Sequence, residues 1–212
     1  KTSASQFSNV RKTGLNAIKL KDDDKLIAVA QSSSEDHVML ISKLGKAIIF
    51  HEEDVSGMGR NAVGVRGIIL DKGDEVVSMV LLQNEDQTVL VMTTRGYGKR
   101  TKLSDYRVQT RGGKGIYTFD KNKIRKTGPL LGAVLVDTSD EIMLINSDNV
   151  IIRIRAKDVS RSGRTTQGVK IMKVNKDQEI VAFAKVLEDL EHAKRIREKK
   201  EGDNVKRSGE SK

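Results

Sequence analysis

The stretch VMLISKLGKAIIFHEEDVSGMGRNAVG, residues 38–64, decides the fold, because its landmarks recur twice further along the chain. It opens on an apolar run, meets Gly45, and resumes as a second apolar run. That pattern reads as two strands joined by a tight turn. The runs that start at Val38, Val89 and Ile142 lie 51 and 53 residues apart. From each start a turn residue falls at the same offset (Gly45, Gly96, Asn149), and glycine and asparagine accept a positive φ at low cost. An acid then recurs at Asp54, Asp105 and Asp158, an arginine at Arg60, Arg111 and Arg164, and a glycine at Gly64, Gly115 and Gly168. Four landmarks kept in three copies define a repeat.

The segment FSNVRKTGLNAIKL, residues 7–20, carries Gly14 at the last landmark and reads as the second half of an earlier copy. Other short β-branched runs are LIAVAQ at 26–31, EVVSMVLL at 75–82, VIIRI at 150–154 and EIVAFAKV at 179–186. The chain holds one proline, so a ladder is rarely interrupted by a missing N–H. A unit of about 50 residues with about four strands is the size of a propeller blade, which buries its faces only by stacking on neighbours. The expected fold is all-β and propeller-like over residues 1–186, with 1–36 the end of an earlier blade and about three and a half blades present. Closed propellers need about four to eight blades. An arc of a larger disc is therefore expected, unless the pieces close by exchanging strands. Val186, Leu187, Leu190 and Ala193 have helical spacing, so 187–212 reads as a short charged helix followed by a disordered tail.

Composition narrows the function classes. No apolar run approaches the ~20 residues of a membrane span. The opening KTSASQF has neither an apolar leader nor a methionine, which suggests a segment of a longer polypeptide. The chain has no cysteine, and its three histidines (His37, His51, His192) match no metal-ligand spacing, so no metal site is expected. The net charge is +10, of which residues 1–186 supply +9. That field favours a polyanion, with a generally solvated basic protein as the alternative.

Enzyme chemistry finds no support. A phosphate loop needs GxxxxGK before Ser or Thr. Ahead of Gly113–Lys114 the early glycine position is Val108 and the following residue is Gly115, and for Gly98–Lys99 the same positions are Thr93 and Arg100. No nucleophile motif occurs. The recurring aspartates occupy one place in separate blades, which suits turn residues better than a catalytic pair.

The cations are more informative. Arg60 and Arg66 sit in MGRNAVGVRG; Arg95, Lys99, Arg100 and Lys102 in RGYGKRTK; Arg107, Arg111 and Lys114 in RVQTRGGKG; and Arg161, Arg164 and Lys170 in SRSGRTTQGVK. Blades related by rotation would set them around a rim as a positive stripe, matched to the duplex charge of one phosphate per ~1.7 Å of axis. Neighbouring glycines would let the backbone approach phosphates. Aromatics are 3% of the chain, too few for stacking on single strands to dominate. Double-stranded DNA is the expected partner, and a propeller used for protein interaction is the alternative.

At these motifs the chain resembles the C-terminal domain of the DNA gyrase A subunit: MGRNAVGVRGI, GYGKRT, GRTTQGV and FSNVRKTGLNAI are similar to stretches of that family, over roughly residues 1–186. The similarity is stronger than to the corresponding chain of topoisomerase IV. The resemblance implies a β-pinwheel that bends duplex DNA around its basic rim. It also implies a non-catalytic segment of an ATP-dependent type II topoisomerase. ATP, Mg and the contacts with the gyrase B subunit and with a second A subunit would then belong to other regions. The family's box reads QRRGGKG. Here Gln109, Thr110, Arg111, Gly112, Gly113, Lys114 and Gly115 match it except at Thr110, and by register they are a later blade's counterpart.

Overall fold

The computed structural model describes residues 1–10, 12–21, 23–33, 35–82, 84 and 86–186. The expected helix and tail over 187–212 lie outside the described residues. Each apolar run from the three full repeats becomes a strand. The first unit gives β1 (His37–Ser42), β2 (Lys46–His51) and β3 (Val76–Leu82). The second gives β4 (Thr88–Thr93), β5 (Tyr97–Lys102), β6 (Ile116–Tyr117), the one-turn helix α1 (Ile124–Thr127) and β7 (Leu130–Val136). The third gives β8 (Glu141–Asn146), β9 (Ile151–Arg155), β10 (Val169–Lys170) and β11 (Ile180–Lys185).

The sheet orders are β3-β1-β2-β6, β10-β5-β4-β7 and β11-β8-β9, with neighbouring strands antiparallel throughout. The fourth strand of the first sheet therefore comes from the second unit, and the fourth strand of the second sheet comes from the third. Consecutive blades are joined by exchanged strands. β3 packs beside β7 and β7 beside β11, so these strands form the inner side of the arc. The exchanged strands β6 and β10 lie at the opposite, outer edge.

The hairpins turn where the residue types require it. Gly45, Gly96 and Asn149 have φ of 92°, 78° and 61°. The last strand residue before each turn is a small polar one whose side chain accepts the N–H four residues on. Ser42 takes Lys46 at 3.1 Å, Thr93 takes Tyr97 at 3.1 Å and Asn146 takes Val150 at 2.8 Å. At the far end of each hairpin the chain makes one 3-10 turn, Glu52–Asp54, Leu103–Asp105 or Ala156–Asp158, ending on the recurrent aspartate.

β4 shows why the blades stack. Val89 and Val91 enter a core with Met39, Ile41, Ile49 and Phe119 of the preceding side, while Leu90 and Met92 enter another with Ile142, Leu144 and Ile180. Alternate residues of one strand thus face opposite neighbours, and all six residues of β4 are buried. Each such aliphatic side chain contributes about 1.5–3 kcal/mol of burial.

One expected strand does not form. Residues 26–31 form no strand, with Leu26, Ile27 and Val29 exposed by 53%, 50% and 81%. Their counterparts β3, β7 and β11 each pair with the first strand of their own unit, β1, β4 and β8. The described residues contain no such strand for this copy. A β-prone segment without a ladder partner leaves its backbone to solvent.

Candidate nucleic-acid interface

The outer edge is built by the last third of each unit crossing onto the blade before it. In QTRGGKG, Gln109 N–H donates to Ile49 O at 2.7 Å, Gly112 N–H donates to Gly67 O at 2.8 Å, and Gly113 O accepts Ile69 N–H at 2.8 Å. Gly115 then leads into β6, which pairs with Lys46 and Ala47 of β2. Its φ is +68°, and a Cβ there would lie 2.6 Å from Ala47 O. Gly168, at the same repeat position, has φ +70°, and its Cβ would lie 2.4 Å from Gly98 O. Only glycine combines that backbone with that close approach. The recurring glycine therefore admits the exchanged strand, and the Gly112 N–H is already spent on protein rather than offered to a phosphate.

The recurring arginines perform a matching task. Arg60 Nη1 donates to Asn16 O at 2.8 Å, Arg111 Nη1 to Arg66 O at 2.6 Å, and Arg164 Nη1 to Tyr117 O at 2.9 Å. Each acceptor lies two residues beyond the landmark glycine of the preceding copy (Gly14, Gly64, Gly115). Arg111 also donates from Nε to Asp54 O at 2.7 Å. All three guanidiniums latch one unit to the next, a planar multi-donor role that an ammonium fills poorly.

Two further expected rim cations are interior groups. Lys99 is fully buried, and its Nζ donates to Gly163 O at 2.7 Å, to Arg164 O and to Thr166 Oγ1 at 3.3 Å. Burial, helped by the nearby Arg164 charge, pushes its pKa down to about 7. At the same register β2 and β9 carry Ile48 and Ile152, so strand alternation aims this side chain inward. Arg100 is 7% exposed, with Nε donating to Val159 O at 2.9 Å and burial lowering its pKa. Placing Lys99 and Arg100 on the rim is thus corrected: alternation and carbonyl acceptors hold both inside.

The remaining cations stay in solvent. Arg66, Arg95, Lys102, Arg107, Lys114, Arg161 and Lys170 are exposed. Among the described residues, none of these seven pairs with a carboxylate within 4.0 Å. Within QTRGGKG itself, Lys114 is the charged side chain turned to solvent, while Thr110 is exposed beside it.

Comparison with known proteins decides the family. The family model for the DNA gyrase C-terminal domain, a β-propeller, matches residues 1–33, 36–83, 87–135 and 140–186. The chain belongs to the DNA gyrase C-terminal domain family. It is 43% identical over 185 residues to the DNA gyrase A subunit of Lawsonia intracellularis, covering 86% of this chain and 22% of that protein. To its Escherichia coli K12 counterpart it is 40% identical over 191 residues, covering 90% of this chain and 22% of that one. The chain thus spans about a fifth of the length of these curated relatives. Among solved structures it resembles a topoisomerase IV C-terminal domain, with TM-score 0.82, 28% identity, and 87% and 57% of the two chains covered. It also resembles a DNA gyrase A C-terminal domain, with TM-score 0.75, 29% identity, and 83% and 59% covered.

For a gyrase C-terminal domain, one basic element escapes a reading based on repeated positions. Lys121, Lys123, Arg125 and Lys126 lie in the stretch between Gly115 and β7 that is longer in the second unit than in the others, and all four are exposed. The run KNKIRK is visible as charge: Lys123 falls at the repeat position of Lys72 and Lys176, whereas Lys121, Arg125 and Lys126 have no basic counterpart in the other copies. Among the described residues no group of three or more His, Cys, Asp or Glu could hold a metal ion. No described helix is long and apolar enough to cross a membrane.

Proposed function

We propose that this domain binds duplex DNA along its outer edge and bends it, as the DNA-wrapping part of a gyrase A subunit. The supporting observation is the set of seven exposed, carboxylate-free cations spread over the last thirds and turns of successive blades. Such groups exchange condensed counterions for phosphates and read no sequence. In the whole enzyme this would support ATP-dependent negative supercoiling. Catalytic chemistry, ATP with Mg, the B subunit and the second A subunit would be engaged by other regions, and the compartment would be the bacterial cytoplasm.

The TM-score of 0.82 favours a second reading, the equivalent domain of topoisomerase IV. Ligation of nicked plasmid in the presence of the domain separates the two: chiral wrapping shifts the topoisomer distribution, whereas bending without wrapping leaves it in place. A propeller serving only protein interaction is tested by duplex affinity against salt. The proposal requires log K to fall steeply with log salt, by about 0.9 per phosphate contacted. A flat dependence, or no binding at low salt, overturns it.

A further inference from the structure

The exchanged edge carries the same pair of residues on two successive blades, with the partners reversed. In the first blade Lys46 of β2 lies opposite Tyr117 of β6. In the second, Tyr97 of β5 lies opposite Lys170 of β10. Each ring carries a second ammonium from the charged insert: Lys121 Nζ sits 5.2 Å from the Tyr117 centroid and Lys126 Nζ 5.9 Å from that of Tyr97. Lys46 and Lys170 lie 5.9 and 5.2 Å from the same two rings. Ammonium groups over aromatic faces are held in position without a carboxylate that would neutralise them. Of the four, Lys46 also pairs with Asp71 at 2.8 Å, so Lys121, Lys126 and Lys170 are the ones left for a ligand.

The insert is fixed to both blades. Thr118 N–H donates to Gly45 O, at the first blade's hairpin turn, at 2.8 Å. At its other end Thr127 O accepts from Arg95 N–H at 3.2 Å and from Thr93 Oγ1 at 2.6 Å, beside the second blade's turn. Asp120 caps the start by accepting Asn122 N–H at 3.0 Å, which turns the segment's one carboxylate onto its own backbone. A strip holding Lys121, Lys123, Arg125 and Lys126 therefore spans the gap between neighbouring blades on anchored backbone.

We infer that this insert and the two lysine–tyrosine pairs form a bridge that grips the sugar–phosphate backbone of a duplex as it passes from the first blade to the second. The inference rests on the duplex-binding reading above. It assigns the bridge a distinct task, which is setting the bend between blades rather than adding to a uniform field. The rings hold Lys121, Lys126 and Lys170 in place, and these ammoniums meet phosphates on either side of the gap between blades.

The test uses the full chain, a duplex labelled at both ends for energy transfer, and two double variants. Lys121→Ala with Lys126→Ala should make the salt slope shallower by about 2, at about 0.9 per lost phosphate. It should also lower end-to-end transfer, because the duplex straightens, while the melting temperature stays put. Lys102→Ala with Arg107→Ala should weaken the slope comparably but change transfer less. If the bridge variant keeps wild-type slope and transfer while the Lys102/Arg107 variant loses slope, the bridge is wrong and duplex binding stands. If the bridge variant loses slope but keeps transfer, it is field alone and the bend-setting role fails. If the wild-type chain shows no salt-dependent duplex binding, both readings fail together.

Discussion

Arg111 and Lys114 are three residues apart in one loop, yet the fold uses them oppositely. Arg111 points its guanidinium into the carbonyls of Asp54 and Arg66 on the preceding unit. Lys114 stands in solvent, with no partner among the described residues. The same division runs through the whole domain. Residues kept in register, Arg60, Arg111 and Arg164 with the glycines at Gly115 and Gly168, are those that join blades. Exposed cations such as Arg107, Lys114, Lys126 and Arg161 lie at positions where the other copies carry no basic residue. Regular recurrence in a repeat protein reports first on the contact each unit makes with its neighbour, since that contact is the one geometry every copy shares.

The largest effect should follow from filling a latch glycine. Gly115→Ala places a Cβ 2.6 Å from Ala47 O at a φ of +68°, and should cost about 3 kcal/mol, read as a drop in denaturation midpoint. A smaller drop, about 1–2 kcal/mol, is expected for Arg164→Met, because Tyr117 O loses a charged donor at a half-buried site. A wild-type midpoint in either variant would break the latch side of the contrast.

Lys99 sharpens the contrast through pH. Its folded pKa of about 7 lies below its ordinary value of 10.5, so between these values the unfolded chain holds more protons than the folded one. Stability should therefore rise as pH climbs from about 7 towards 10, and Lys99→Met should flatten that rise. Above pH 10 Tyr106, whose pKa burial raises, pulls the other way. A wild-type stability curve that falls between pH 7 and 9 would contradict the buried position of Lys99. The smallest effect on folding belongs to Lys102→Ala with Arg107→Ala: stability within about 0.5 kcal/mol, because both are exposed, with the salt slope of duplex binding shallower by about 2.

Much of the architecture is legible in the chain. Period, turn residues and strand runs give propeller-like blades because hairpins need positive φ at one place and apolar alternation around it. Which unit a strand completes is not legible: β6 and β10 are two residues long, too short for a pattern, and only their landing on β2 and β5 reveals the exchange. The strand expected at 26–31 fails for a similar reason, since β propensity says nothing about whether a partner is present. Lys99 and Arg100 mislead because GYGKRT looks like a charged turn, whereas the strand continues through Lys102 and buries both. The KNKIRK insert is hard to read for the opposite reason: it is charged, but apart from Lys123 its cations fall where the other copies carry no basic residue.

The most direct test compares Arg111→Met with Lys114→Ala by duplex affinity across a salt series, each checked by thermal melting. Lys114→Ala should flatten the slope by about 0.9 and melt like the parent chain, whereas Arg111→Met should melt lower and keep the parent slope. An Arg111→Met chain with a flattened slope at unchanged melting temperature would contradict this division, for the repeated arginines would then be phosphate contacts and not latches.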